Sequence, residues 1–289
     1  MKARILTLAL LIIAISLAAE GWKLDSNATV TLSQNAYSDS WQGKENSNIT
    51  WVANSTSTAE KQITGWLQNK NTLKLAFGQT HNQRRNSQNE KYWEHAEKST
   101  DKIDFEAMLR FTTHGWVDPF IAQRIESQFL DQKADETLVF NPLLFTETAG
   151  IIRSFFNEEH RELSLRLGAA FREKLDRGVI GASGDKETAT TVDGGLELVS
   201  EYKRKLQIPL SMDFRSRMQV YQALFNSKED ELPNDDWKSP DLVWENTLST
   251  KLWGALSANL IFELRYDKEE IHEVQWKEIL GLGLSYSLF

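Results

Sequence analysis

Hydrophobic and polar positions alternate with a period of two along most of this chain. The pattern is strongest in residues 280–288, where one face carries only large apolar side chains. These side chains are Leu280, Leu282, Leu284, Tyr286 and Leu288, and glycine or serine stands between them. A period of two predicts a strand with one apolar and one small or polar face. A last strand of this kind is typical of transmembrane barrels, whose outward face contacts lipid.

The same alternation predicts about twelve strands, beginning with residues 22–34. Short turns alternate with long polar connections, as in outer-membrane barrels with tight periplasmic turns and larger outer loops. The long connections are residues 35–44, 80–100, 131–146, 176–188, 226–240 and 267–273. An even count would place both termini on the periplasmic side. We therefore predict one all-β domain over residues 19–289, a single antiparallel up-and-down transmembrane β-barrel closed by pairing of its last strand with its first.

Tryptophans fall near both ends of the predicted strands. Trp22, Trp116 and Trp253 are expected at the short-turn end. The tryptophans expected at the long-loop end are Trp41, Trp237, Trp244 and Trp276. Two aromatic belts at the two membrane interfaces would give this distribution. The competing interpretation is a soluble sandwich with an aromatic core, which would need the signal peptide, the strand number and the loop alternation to coincide by chance.

Residues 1–18 have the composition of a secretory signal peptide. Lys2 and Arg4 precede an apolar run, residues 5–17, that is short for a membrane helix. Small residues at Ser16 and Ala18 predict cleavage after Ala18, and without a cysteine a lipoprotein anchor is excluded. A buried N-terminal helix is the alternative interpretation. We expect an exported chain located in the outer membrane.

Composition narrows the possible partners. The 289 residues include 33 basic and 41 acidic side chains, and the resulting net charge of −8 argues against nucleic acid as the main partner. Because there is no cysteine, a disulfide framework and a thiolate metal site are excluded. The expected partners are outer-membrane lipid, lipopolysaccharide and the barrel-assembly machinery. No cofactor is expected.

The polar faces of the predicted strands carry charges of both signs. These faces would line the barrel interior, since the apolar faces contact lipid. The charged residues predicted to lie there are Asp104, Glu106, Glu126, Asp193, Glu197, Glu201, Asp213, Glu245, Glu263, Lys70, Lys74, Arg110, Arg124, Arg166, Arg172, Arg215, Arg217, Lys251 and Arg265. One interpretation is an ion-pair network that fills a narrow barrel. The other is a selective pore, in which Arg166, Arg172, Arg215 and Arg217 tune the passage of solutes.

The histidines do not have a catalytic arrangement. Twelve-stranded outer-membrane phospholipases use a His-x-Ser pair, and omptin-like proteases use a His-Asp pair. The five histidines are His81, His95, His114, His160 and His272, and none has either spacing or the spacing of a metal site. We expect His81 and His95 in a loop, and His114 and His160 in turns.

One predicted loop contains an apolar stretch. Residues 141–147 read Asn-Pro-Leu-Leu-Phe-Thr-Glu and follow a polar segment. Two interpretations are open. The stretch folds inward as a constriction or plug, or it forms a small hydrophobic cluster that caps the loop.

Two stretches resemble an uncharacterised family of exported Gram-negative proteins. Residues 32–46 are similar to the family's opening strand with its Asn-Trp-x-x-Gly-Gly motif, from which Ser40 and Lys44 depart. Residues 65–78 resemble the family's Trp-x-Asn-x-Leu-x-x-x-x-Gly stretch. Residues 265–267 and 275–284 also fit. The resemblance covers nearly the whole chain after the signal peptide and implies an outer-membrane barrel, with no activity or catalytic residue to carry over.

The leading functional hypothesis is a non-enzymatic outer-membrane barrel that forms a narrow passive channel for small solutes through a charged lumen. A closed structural or surface-binding barrel and a lipid-active outer-membrane enzyme are the alternatives. The predicted assembly signal comprises Leu284, Tyr286, Leu288 and Phe289. Phe289 is one residue out of step with the apolar face, which indicates a bulge, a frayed end or a displaced signal.

Overall fold

The structure is a computed structural model that describes residues 21–38, 45–113, 115–133, 136–158, 160–180, 185–207, 211–232 and 234–287. The predicted signal peptide, residues 1–18, lies outside these ranges. Trp41, His114, Leu288 and Phe289 lie outside them as well. Within the described residues, no helix is both long enough and apolar enough to span a membrane.

The described chain consists of β-strands with one 3-10 turn, Asp236–Lys238. Twelve strands are long, and three, β4, β7 and β8, are short. The strands are β1 (Lys23–Asn35), β2 (Asn48–Thr64), β3 (Leu67–Arg85), β4 (Lys91–Trp93), β5 (Glu97–Phe111), β6 (Asp118–Ser127), β7 (Leu130–Gln132), β8 (Thr137–Val139), β9 (Leu143–Glu158), β10 (Arg161–Ile180), β11 (Lys186–Gln207), β12 (Ser211–Asn226), β13 (Asp241–Trp253), β14 (Leu256–Asp267) and β15 (Ile271–Ser287).

The twelve long strands form one closed antiparallel barrel. Each long strand pairs with the next long strand along the chain, and β15 pairs with β1 through partners such as Val30 and Leu284. The short strand β4 pairs only with the end of β3, and β7 pairs with β8 as a separate hairpin. The predicted single up-and-down barrel of twelve strands, closed by its last and first strands, is confirmed.

Connections differ between the two ends of the barrel. At the end that holds both barrel termini, two to six residues join successive long strands. At the opposite end, three to fifteen residues join them. We call these the short-turn end and the long-loop end. The predicted asymmetry is present, but the last long-loop connection has only three residues.

Several strands extend beyond their predicted limits. Residues 176–188 were expected to be a loop, yet β10 continues to Ile180 and β11 begins at Lys186. Strand β9 begins at Leu143 rather than near residue 149. Strand pairing satisfies backbone hydrogen bonds whether or not the outward face is apolar. Polar segments such as 186–191 therefore continue the sheet, although their composition is typical of a loop.

The outward face of the barrel is apolar where the sequence alternates. On β15, Leu280, Leu282, Leu284 and Tyr286 are between 55% and 66% exposed. Neighbouring Val30 and Leu32 on β1 are similarly exposed. Residues this apolar rarely form a continuous exposed surface in water, whereas lipid would cover them. The two-faced character predicted for the last strand is therefore present.

Tryptophans occupy both rims, with one exception. Trp116 and Trp253 are exposed at the short-turn end, as predicted, whereas the predicted Trp22 is half-buried; Trp66, which was not predicted, is also exposed there. Trp244 and Trp276 are exposed on β13 and β15. Trp237 was expected in the belt at the long-loop end, and that prediction is wrong because its side chain is only 4% exposed. It packs against lumenal residues instead.

Strands β9 and β10 approach each other closely at two glycines. Gly150 pairs with Gly168, and a Cβ on Gly150 would lie 2.1 Å from the carbonyl oxygen of Leu167. We expect Gly150→Ala to lower the free energy of unfolding by about 1–3 kcal/mol, since backbone would have to move. Denaturant titration of the refolded protein in micelles measures this. Gly65→Ala is the control, because nothing lies within 4 Å of its added Cβ. Equal stabilities of the two variants would contradict the prediction.

Candidate functional site: the barrel lumen

The predicted lumenal charges lie on the interior face of the barrel. Their strand positions alternate with those of the exposed apolar residues on the same strands. The interior is divided unevenly. One side, bounded by β5, β6 and β9 to β12, is filled by side chains, and we call it the packed half. The other side, bounded by β1 to β3 and β13 to β15 with parts of β5, β11 and β12, contains cavities, and we call it the open half.

A buried ion pair lies at the centre of the packed half. Asp104 on β5 and Arg124 on β6 are 3% and 4% exposed. Arg124 donates from Nε and Nη2 to the two carboxylate oxygens of Asp104, both at 2.8 Å. It also lies 2.8 Å from Glu126 and donates to Gln219 on β12, across the lumen. A bidentate pair with further partners satisfies most of the polar atoms that burial removes from water.

A second bidentate pair crosses between strands that are not neighbours. Arg166 on β10 donates to both carboxylate oxygens of Glu106 on β5, at 2.9 Å and 2.8 Å. Close by, Glu197 accepts hydrogen bonds from Thr148 at 3.0 Å and from Gln219 at 2.8 Å. Because Gln219 also accepts from Arg124, one connected network runs from Thr148 and Glu197 through Gln219 to Arg124 and Asp104, and the Arg166–Glu106 pair lies beside it. This network fills the middle of the packed half.

Apolar residues close the packed half toward the short-turn end. Met108, Phe120, Ala122 and Ile152 form a buried cluster inside the barrel. Below it, Arg110 pairs with Asp118 on β6, with 2.6 Å between Nη2 and Oδ2. This buried apolar cluster was not predicted, because the interior faces of the strands were expected to carry charged residues. The only available signal was that Phe120, Ala122 and Ile152 stand out of phase with their apolar neighbours on the same strands.

Arg172 occupies the packed half toward the long-loop end. It donates to Asp193 and Asp241, each at 2.9 Å, and its guanidinium lies 3.5 Å from the centre of the Tyr221 ring. The Tyr221 hydroxyl donates to Asp193. Arg172 was expected to contribute, with Arg166, Arg215 and Arg217, to any selectivity site of the lumen. Arg172 and Arg166 are instead held in separate clusters of the packed half.

Three ion pairs cross the lumen between distant strands. Lys70 on β3 lies 3.5 Å from Glu201 on β11, and Lys74 on β3 lies 2.9 Å from Glu245 on β13. Lys102 on β5 also pairs with Glu245. We call these three contacts the ion-pair partition, because they separate the packed half from the open half. Lys102 was not among the predicted residues, since strand β5 was expected to begin after it.

Two cavities occupy the open half. The first, about 270 Å³, lies toward the short-turn end and is lined mainly by hydroxyl and amide side chains. The second, about 230 Å³, is lined by charged residues, including those of the ion-pair partition. Residues shared by the two linings are Asn54, Thr56, Arg215, Thr247 and Ile261. The cavities therefore adjoin, and a polar space leads from the short-turn end into the charged middle of the barrel.

The predicted lumenal charges divide between these regions. In the packed half are Asp104, Glu106, Arg110, Arg124, Glu126, Arg166, Arg172, Asp193 and Glu197. Lining the open half or forming the partition are Lys70, Lys74, Glu201, Asp213, Arg215, Arg217, Glu245, Lys251, Glu263 and Arg265. Lys203 and Lys277, which were not predicted, also line the second cavity. Both interpretations of the charged lumen thus describe part of the interior.

The connection between β12 and β13 folds onto the lumen at the long-loop end. Trp237 packs on Ala170, Tyr221 and Ala223, which face the interior. The neighbouring Asp236 carboxylate is 2.7 Å from Lys268 and 3.5 Å from His272. The hydrogen bond from Lys268 lowers the pKa of Asp236 below its ordinary value. The contacts of Trp237 and Asp236 hold the connection between β12 and β13 over the long-loop end of the packed half.

The apolar stretch 141–147 neither plugs the barrel nor caps a loop. Leu143 and Phe145 belong to β9 and occupy alternate positions, so they continue the outward apolar face. The buried Asn141 side chain donates to Asp131 at 2.7 Å and to Asp176 at 2.9 Å, which ties the preceding connection to β10. Trp237, rather than this stretch, folds onto the lumen at the long-loop end. Apolar content alone could not distinguish the two segments.

The histidines are dispersed. His81 lies in β3, so the expectation of a loop position was wrong, whereas His95 lies between β4 and β5 and His160 in a turn, as expected. His272 lies near the start of β15. Among the described residues, no group of three or more histidine, aspartate and glutamate side chains is arranged to hold a metal ion.

Comparison with protein-family models gives no match, and comparison with curated proteins gives none either. Among solved structures, an outer membrane channel from Pseudomonas putida F1 is 13% identical, covers 93% of this chain and 96% of its own, and has a TM-score of 0.43. The translocator domain of autotransporter NalP from Neisseria meningitidis is 12% identical, with coverages of 99% and 95% and a TM-score of 0.33. OprB from Pseudomonas putida is 10% identical, with coverages of 96% and 95% and a TM-score of 0.28. These similarities concern the barrel fold alone.

Proposed function

We propose that this chain is a non-enzymatic outer-membrane barrel that forms a narrow passive channel for small hydrophilic solutes. The observation that carries the proposal is the polar space of the open half. Its wall near the short-turn end presents the hydroxyl and amide groups of residues such as Asn27, Thr56, Ser249 and Asn259. Such groups hydrogen-bond to water and to hydrated solutes without binding them tightly, as conduction requires.

The packed half sets the size of the solutes. A barrel of twelve strands is narrower than the porins that hold wide aqueous channels. Here the Arg124 and Arg166 networks and the Met108 cluster occupy much of that interior. Passage is then confined to one side of the lumen. We therefore propose small solutes rather than oligomeric ones.

The apolar outward face of the barrel and the predicted signal peptide both support an outer-membrane location. Exposed leucines and rim tryptophans suit a lipid environment, and the short turns would face the periplasm. Outer-membrane lipid and lipopolysaccharide are the proposed surroundings, and the barrel-assembly machinery the proposed insertion partner. Leu284 and Tyr286 lie on the lipid-facing side of β15, where the proposed assembly signal, including Leu288 and Phe289, would be read. We also propose that the chain is a member of the uncharacterised exported family that its sequence resembles.

A closed structural or surface-binding barrel is the second candidate. The contacts that favour it are those of Trp237, which covers part of the lumen at the long-loop end. A closed barrel gives no current, whereas an open one gives discrete steps. Purified refolded protein in a planar lipid bilayer separates the two. Absence of single-channel steps would exclude the channel.

Cysteine labelling tests where the current flows. The chain has no cysteine, so one introduced thiol is the only reactive one. Thr56 lines both cavities, whereas the next residue, Ser57, faces outward and hydrogen-bonds to Ser26 at 2.7 Å. We expect a bulky methanethiosulfonate reagent to reduce the conductance of Thr56→Cys strongly and to leave that of Ser57→Cys unchanged. Equal responses of the two variants would place the conducting path elsewhere.

A further inference from the structure

We infer that the open half selects small anions, and that Arg215 is the group that binds them. The anions are of the carboxylate or phosphate class, because a guanidinium recognises both through paired hydrogen bonds. This inference rests on the proposed channel and adds the sign and chemistry of its solute. It concerns only the open half, since the charges of the packed half are engaged with one another.

The charge of the open half is opposite to that of the whole chain. Nine lysine and arginine residues line the two cavities, against five aspartate and glutamate residues. The full chain has a net charge of −8. One of the five carboxylates, Asp101, accepts hydrogen bonds from the backbone of Phe129 and Leu130, so it stabilises the barrel wall and its charge is already engaged. The passage is therefore positive within a negative protein, which raises the local concentration of anions.

Carboxylates in the partition and its surroundings are each shared by two cations. Glu245 pairs with Lys74 and Lys102. Glu263 pairs with Arg265 and with Lys277, the latter at 3.0 Å. Glu201 lies 3.5 Å from Lys70 and 3.8 Å from Arg217. Glu201 and Glu263 thus each leave one positive charge in excess, whereas Lys102 beside Glu245 also lies 3.6 Å from Asp104 of the packed half. The surplus is built into the pairing and does not depend on one exposed side chain.

Arg215 stands where the two cavities meet. It lines both of them, and it forms no ion pair with any residue in the described part of the chain. Its neighbours on the same face of β12 are Asp213, which is exposed at the short-turn end, and Arg217, which is engaged with Glu201 and Gln219. Arg215 is half-buried. A half-buried guanidinium without a carboxylate partner can receive an anion from the first cavity before it reaches the partition.

Reversal potentials measured with a potassium chloride gradient test the inference. We expect wild-type channels to pass chloride in preference to potassium. Arg215→Gln should lower the chloride-to-potassium permeability ratio several-fold, and Arg215→Glu should shift the reversal potential toward that of a cation-selective channel. Arg84→Gln is the matched control, because it removes a positive charge that is paired with Glu94 and exposed at the long-loop end. That control should leave the ratio unchanged.

Block of the current by inorganic phosphate distinguishes anion binding at Arg215 from a general effect of the positive charge of the lumen. Phosphate should reduce the chloride current of wild-type and Arg84→Gln channels, and Arg215→Gln should be several-fold less sensitive. Channels that conduct without anion preference, or whose phosphate block is the same in Arg215→Gln, would overturn the inference and leave the channel intact. Absence of conductance in wild type as well as in every variant would overturn the proposed function and the inference together. Heat-modifiable migration in gels confirms that each variant is folded.

Discussion

Replacing Arg166 by glutamine is expected to lower the free energy of unfolding by about 3–5 kcal/mol. Arg166 is 5% exposed and donates two hydrogen bonds to Glu106 from across the packed half. Glutamine supplies neither the positive charge nor the two parallel hydrogen bonds of the guanidinium, so Glu106 would stay inside the barrel without the counter-ion that now faces it. Denaturant titration of refolded protein in detergent or lipid, followed by tryptophan fluorescence, measures the loss.

Two further variants distinguish a stranded charge from a lost contact. In the double variant Arg166→Gln with Glu106→Gln no carboxylate is stranded, so we expect a smaller loss than in Arg166→Gln alone. Lys174→Gln lies on the same strand and breaks a pair with Glu270 in which both side chains are exposed by 40% or more. It should cost less than about 1 kcal/mol. A loss in Arg166→Gln no larger than that in Lys174→Gln would contradict the prediction.

Replacing Glu245 by alanine is expected to admit larger uncharged solutes. Glu245 holds Lys74 and Lys102 across the lumen, and both lysines come from strands on the opposite wall. Without this acceptor the two side chains are free to withdraw, and two of the three contacts of the ion-pair partition are lost. Swelling of liposomes in sugar solutions measures the effect. We expect entry of a disaccharide to rise several-fold relative to wild type.

Uncharged sugars are used because the variant also changes the charge of the lumen. The matched control is Glu270→Ala, which removes a carboxylate that pairs with Lys174 at 3.4 Å near the long-loop end. Both of those side chains are at least 40% exposed and line neither cavity, so the control leaves the partition intact. Unchanged sugar entry in a folded Glu245→Ala barrel would show that the partition does not limit the passage.

The alternation of apolar and polar residues was sufficient to predict the twelve long strands and to assign most residues to the outward or the inward face. Lipid and water impose opposite requirements on alternate residues, so residues such as Leu282 and Asp104 reveal their side of the wall without knowledge of any partner. The same reasoning identified most of the lumenal charges. It failed where a strand continues into water, as β10 and β11 do, because no lipid then selects the outward residues.

The division of the lumen could not be predicted in the same way. The partner of Lys74 is set by which strand stands opposite β3 across the barrel, and by how far the strands are staggered. Alternation carries neither quantity. Trp237 was misplaced for a related reason, because a loop tryptophan at the rim and one folded onto Tyr221 have the same sequence signature. Only the arrangement of the strands in the closed barrel distinguishes these two positions of a tryptophan.

The ion-pair partition also affects the order in which the barrel is completed. Its contacts join residues separated by 131 to 171 positions along the chain. Hairpins between successive strands can form locally, but these contacts require nearly the whole chain, and contacts between distant positions form slowly. Until β13 has been added, Lys74 and Lys102 lack the carboxylate that holds them. Two of the three contacts of the ion-pair partition, those of Glu245, therefore form only after β13 has joined the barrel.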